Sequence, residues 1–210
     1  MSHRTMPRFT RRSIATVAVA VASMLVLAAC SSPATTPGDP GAEDDVPELG
    51  EATLTDYGLD GMDAREIIDY LDAMAIVERP DDLMASIRPS ALTLTSGSQN
   101  ETTLPMPDDL FYVSIAPYEE QTHECYFHSL TTCTGELQNA DVEVLVTDAS
   151  SGEVLVDETR TSFDNGFVGM WLPRGIDVNV ELEYDGLSAA TELTTSGGDA
   201  ATCVTTMQLT

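Results

Sequence analysis

The chain contains no lysine, one tryptophan, three histidines and four cysteines in 210 residues. Each scarcity excludes something. With nine arginines against 35 acidic side chains and a net charge of −26, the molecule has no basic surface for a phosphate backbone, and its field repels nucleic acid and anionic lipid headgroups. No twelve-residue loop carries carboxylates at calcium-hand spacing. No close cysteine pair is followed by a histidine pair at zinc-finger spacing. The one long apolar run, from Ile14 to Ala29, falls short of the roughly 20 residues that a spanning helix needs.

That run explains the first 50 residues. Arg4, Arg8, Arg11 and Arg12 precede it, and it ends in Leu27-Ala28-Ala29-Cys30. A positive start, an apolar stretch and small residues describe an export signal over residues 1–29. The ending resembles a bacterial lipobox, which makes Cys30 the lipidated first residue of the mature protein, held extracytoplasmically on a membrane. Residues 30–50 are Ser, Thr, Pro, Gly, Asp and Glu with little to bury, and read as a flexible acidic linker. Beyond residue 29 five arginines face all 35 carboxylates, a side-chain charge of −30.

Two folded regions are expected. In residues 51–120, Asp63-Ala64-Arg65-Glu66 is a capping box, and Ile67, Leu71 and Met74 continue an apolar stripe that predicts a helix running to Val77 or Glu78 before Pro80. Alternation predicts strands at 91–95 and at 110–117, the latter with Phe111, Val113 and Ile115 on one face, and a long loop over 96–109. In residues 121–210, short alternating segments at 142–147, 153–159, 166–172, 177–184, 187–195 and 201–209, separated by Gly-rich turns, predict an antiparallel β-sandwich. The fold class is therefore α+β: a small N-terminal α/β domain, whose exposed strand edge or helix face could serve a dimer, then the sandwich. Trp171, Met170 and Met207 lie in strands, where packing is the expected role, a thioether metal ligand being the alternative for either methionine.

What is present is concentrated. His123-Glu124-Cys125-Tyr126-Phe127-His128-Ser129-Leu130-Thr131-Thr132-Cys133 holds both histidines and two of the cysteines left after export. Thiolate and imidazole suit Cu(I), Zn²⁺ and some Cu(II) sites. Outside the cytoplasm thiols oxidise. Once Cys30 is lipidated three cysteines remain, so one disulfide and one free thiol is the oxidised state. Cys133–Cys203 closes a loop of about 70 residues and stabilises by ~4 kcal/mol in the chain-entropy account; Cys125–Cys203 does nearly the same, and the spacing does not choose between them. A hydrolase reading of Cys125 or Ser129 with either histidine fails, because these neighbours are too close in sequence for a spatially assembled triad.

The runs Phe111–Tyr118, Thr122–Cys125, His128–Cys133 and Gly135–Leu137, with the ending Gly198–Leu209, resemble the CueP family of periplasmic copper-binding proteins from about Leu54 to Leu209; one extra alanine interrupts the usual Gly-Asp-Ala-Thr-Cys. The resemblance implies two domains, a homodimer, and a copper site built on Cys125, Cys133 and Cys203 with His123 and His128 beside them, copper being favoured over zinc. It implies copper tolerance or delivery to an acceptor protein. The alternatives are a thiol-dependent Cu(II) or Fe(III) reductase recycled by a partner thiol reductase, and a structural lipoprotein with a stabilising disulfide.

Overall fold

The computed structural model describes residues 54–97 and 100–210; the export signal, Cys30 and the acidic linker to residue 50 lie outside them. Asp63 caps helix α1 (Ala64–Asp72): its side chain accepts the Glu66 N–H at 2.9 Å, and the Glu66 carboxylate accepts the Asp63 N–H at 3.0 Å. Two orphan donors of the first turn are thus satisfied reciprocally. The helix ends at Asp72, five residues short of the expected stop at Val77, and a 3₁₀ turn, Ile76–Glu78, follows. The early stop has a tertiary cause. The Ile76 N–H leaves the helical ladder to donate to Asp164 at 2.8 Å.

Ten strands follow among the described residues: β1 (Leu83–Ile87), β2 (Ala91–Ser96), β3 (Asn100–Pro105), β4 (Leu110–Ile115), β5 (Asp141–Asp148), β6 (Val154–Thr161), β7 (Val168–Pro173), β8 (Asp177–Tyr184), β9 (Leu187–Thr194) and β10 (Cys203–Val204). They form three sheets, β1-β2-β3, β10-β4-β7 and β6-β5-β8-β9. The expected loop over 96–109 is half strand. β3 pairs antiparallel with β2, Asn100 opposite Ser96 and Pro105 opposite Ala91. It buries no residue fully, so no apolar alternation announced it. The expected strand at 201–209 shrinks to Cys203–Val204, which runs parallel to β4, Cys203 opposite Ser114.

β4 organises the molecule. Read from sequence as part of the N-terminal unit, it hydrogen-bonds β7 on one side and β10 on the other. Its alternation sends Phe111, Val113 and Ile115 into a core with Val142, Val144 and Val146 of β5, Val178, Val180 and Leu182 of β8, and Met170 and Met207. This is the sandwich interior, and both methionines pack there. The other face carries Tyr112, which joins Ile67, Ile68 and Leu71 of α1 and Leu83, Ile87, Leu92 and Leu94 of the first sheet in a second core. Trp171, half-buried on the same side, donates from Nε1 to Asp69 at 2.7 Å. The helix thus lies between the first sheet and the back of the sandwich. A small third cluster, Ala116, Phe167 and Cys203 with Cys125 and Cys133 at its margin, sits where these layers meet.

Candidate metal centre

Three chain segments converge on that third cluster. The first contains the Cys/His motif. Its residues 128–130 dock on the edge of β1: the Ile87 N–H donates to the His128 carbonyl at 2.8 Å, the Leu130 N–H to the Ala85 carbonyl at 2.9 Å, and Ser129 bridges Ser86. A single helical turn follows. The Cys133 N–H donates to the Ser129 carbonyl at 3.1 Å, and the Ser129 N–H points back at Cys133 Sγ, 3.4 Å away. The second segment brings Cys203 on β10. Thr202, just before it, is fully buried; its hydroxyl donates to the Ile87 carbonyl at 2.8 Å and accepts the His128 N–H at 3.0 Å. The third is the turn at Asn165–Phe167, whose Phe167 ring lies 4.5 Å from the His128 ring.

Cys125 and Cys203 form a disulfide, and among the described residues Cys133 is the free thiol. Of the two bridges that the spacing left open, the Cys133–Cys203 pairing is not the one present. Cys133 Sγ nevertheless lies 3.5 Å from Cys125 Sγ. Cys125, Cys133, Cys203 and His128 each offer one ligand atom, all within 4.8 Å of one another. His123 is not brought into this group. It is exposed, its ring edge-on to Phe167 with centroids 6.2 Å apart, and its backbone carbonyl accepts the Thr205 hydroxyl at 2.6 Å.

His128 is fully buried. Its Nε2 lies 3.0 Å from Asp72 Oδ1, and its Nδ1 has no hydrogen-bond partner. Asp72, equally buried at the end of α1, was not singled out from sequence. Its Oδ1 also accepts from Asn165 Nδ2 at 2.7 Å, and its Oδ2 accepts the Tyr112 hydroxyl at 2.6 Å and the Ser114 hydroxyl at 2.9 Å. Both hydroxyls come from the back face of β4. Gly169 on β7 makes room, because a Cβ there would overlap the Tyr112 hydroxyl. Arg79, nine-tenths buried, donates from Nη1 to the Cys133 carbonyl at 2.9 Å.

The electrostatics follow from this packing. Burial would raise the Asp72 pKa, but the His128 charge and the hydrogen bonds from His128, Tyr112 and Asn165 hold it below the ordinary carboxylate value. Burial would lower that of His128; the Asp72 charge and hydrogen bond, with Cys133 beside the ring, raise it from 6.5 to about 9. Burial would raise the Cys133 thiol, and the His128 ring beside it with the Ser129 N–H lower it below its usual value. For a carboxylate whose folded pKa is depressed, the stabilisation is complete above the unfolded pKa of 3.8 and is lost as pH falls through the lower folded one. The stability advantage of wild type over Asp72→Asn in urea denaturation should therefore be full at about pH 5 and shrink towards about pH 2. An advantage independent of pH over that range would rule out an ionised Asp72.

A buried imidazole nitrogen without a partner is costly unless a hydrogen bond or a metal ion satisfies it. Beside the Cys133 thiol, joined by Cys125 and Cys203 when their bond is reduced, a thiophilic cation fits that description, as neutral imidazole and thiolate are its preferred donors.

The family model described as "Periplasmic copper-binding protein CueP" matches residues 66–208. A solved structure titled "Crystal Structure of S.CueP" is 41% identical, covers 76% of this chain and 96% of its own, and superposes with a TM-score of 0.71. No curated protein matches the chain.

Proposed function

The chain belongs to the CueP family of periplasmic copper-binding proteins, and from that premise we propose that copper is the cargo of the Cys125, Cys133, Cys203 and His128 cluster. The observation that carries the reading is the gathering of three sulfurs and one nitrogen of the buried His128 ring within 4.8 Å of one another, with His128 Nδ1 unpartnered among the described residues. With the Cys125–Cys203 bond formed, Cys133 and His128 remain as donors. Once that bond is reduced, three thiolates and one imidazole are available, a donor set that suits Cu(I) in two- or three-coordinate geometry. The extracytoplasmic location of the family agrees with the export signal, and lipidation of Cys30 would keep the site at a membrane surface.

The test is a competition titration of the reduced protein with a chromophoric Cu(I) chelator. Changing both Cys125 and Cys133 to serine is expected to lower Cu(I) affinity by about a thousandfold or more, since serine offers no soft donor. A double variant that holds Cu(I) as tightly as wild type would overturn the assignment.

A second reading is favoured by one further observation, the free Cys133 thiol 3.5 Å from the bonded Cys125. Two thiols of the reduced cluster can pass one electron each to two Cu(II) ions, giving two Cu(I), two protons and one disulfide. Turnover then requires an external dithiol to reduce that disulfide. Loss of two thiols for every two Cu(II) reduced would support this step.

A further inference from the structure

We propose that Asp72 is the positioning residue of this centre, fixing His128 in the tautomer whose Nδ1 lone pair faces the sulfurs; the inference rests on the reading of the cluster as a metal site. Neutral imidazole has one donor nitrogen and one acceptor nitrogen, and the hydrogen bond made by one decides what the other can do. A carboxylate only accepts. With Asp72 Oδ1 3.0 Å from Nε2, the neutral, metal-binding form of His128 keeps its proton on Nε2 and its lone pair on Nδ1, the nitrogen left without a hydrogen-bond partner among the described residues. Carboxylates that orient metal-binding histidines in this way also raise ligand basicity.

The carboxylate is itself immobilised, which separates this arrangement from an incidental ion pair. Its two oxygens accept from four donors on three elements: His128 of the motif, Asn165 of the turn before β7, and Tyr112 and Ser114 of β4. Those four bonds occupy the full accepting capacity of a carboxylate. Asn165 Nδ2 also reaches the Asp72 carbonyl, at 3.1 Å, so backbone and side chain of the last helical residue are gripped together. Neither Asp72 nor His128 is exposed, so water does not compete for Nε2. The His128 backbone is held separately through Thr202 and Ile87. Removing the Asp72 charge therefore perturbs the ring without freeing the loop.

Asp72→Asn keeps the shape but removes the charge: with its amide nitrogen towards Nε2 it offers a donor where the ring needs an acceptor, and with its oxygen there it accepts more weakly than a carboxylate. Reduced wild type and variant would be titrated with Cu(I) against a chromophoric chelator, and the His128 ring nitrogens followed by long-range ¹H–¹⁵N spectra. The expected result is a fall in Cu(I) affinity of about 10- to 100-fold. In wild type Cu(I) shifts Nδ1 while Nε2 stays protonated; in the variant that pattern is lost or mixed. If Asp72→Asn does not fold, Tyr112→Phe removes one donor to Oδ2 at constant ring volume, with an expected fall of about two- to tenfold. Unchanged affinity in the folded variant overturns the positioning role, and so does weaker affinity with the wild-type nitrogen pattern, which would be a purely structural effect. Wild type that takes up no Cu(I) overturns the metal reading and this inference with it.

Discussion

Replacing Gly166 by alanine is expected to cost about 3 kcal/mol or more in stability and to weaken metal uptake, although Gly166 touches no ligand. Two terms add. Its φ of +78° is a region that L-residues adopt at a penalty. Its Cβ would also lie 2.5 Å from the Gly135 carbonyl oxygen and 2.6 Å from that carbonyl carbon, both backbone atoms that cannot swing aside. Gly135 has the reciprocal restriction, since a Cβ there would lie 2.7 Å from the Gly166 oxygen. These glycines let two turns touch: the Gly135 N–H donates to the Asn165 carbonyl at 2.6 Å. Pushing them apart moves Asn165 from Asp72 on one side and the Cys133 turn on the other. Gly152 is the control, with φ +72° and open space around its Cβ; Gly152→Ala should lose only about 1–2 kcal/mol. Equal shifts of the two urea midpoints would show that the contact between the turns contributes nothing.

Reducing the Cys125–Cys203 bond should have an effect at least as large, and copper should reverse it. The bond joins residues 78 apart, and closing a loop of that length stabilises by about 4.5 kcal/mol in the chain-entropy account. Reduction thus lowers the melting temperature sharply. The same step frees two thiolates, and a cation bound by Cys125 and Cys203 together rejoins the ends of the loop. Ligand that binds only the folded state adds about 2.7 kcal/mol at a hundredfold excess over Kd. Calorimetry of the oxidised, reduced, and reduced plus Cu(I) protein should therefore give a high, a low and a recovered melting temperature. No recovery with Cu(I) would mean that the metal does not bridge the segments carrying the two cysteines. Reduction without a drop in melting temperature would mean that the bond restrains little.

The sequence disclosed those features whose signal is local. The capping box of Asp63 and Glu66 is one, and the alternation of Phe111, Val113 and Ile115 is another, because each depends on neighbours within a few residues. The Cys/His motif was legible because its residue types are rare elsewhere in the chain. Asp72 was not, since it is one of 35 acidic residues and its meaning comes from Tyr112, Ser114, His128 and Asn165, 40 to 93 positions away. One clue was present: Asp72 lies four residues after Ile68, so a carboxylate continues the apolar stripe of α1. β3 was hidden by its polar composition. The disulfide partner was undecidable from spacing, because loops of about 70 and 78 residues differ by only about 0.1 kcal/mol. His123 shared the motif but not the centre, since the chain carries its ring outward to the rim beside Phe167.

The docking of residues 128–130 on β1 has one more consequence. An unpaired strand edge is a template on which other chains can add strands. Ser129 and its neighbours cover that edge with the Ile87–His128 and Leu130–Ala85 hydrogen bonds. The motif that gathers the sulfurs is therefore also a guard against aggregation, and a lesion that peels it away would expose a sticky flank as well as lose the ligands. Selection for a well-behaved, soluble protein and selection for the site then act on the same few residues.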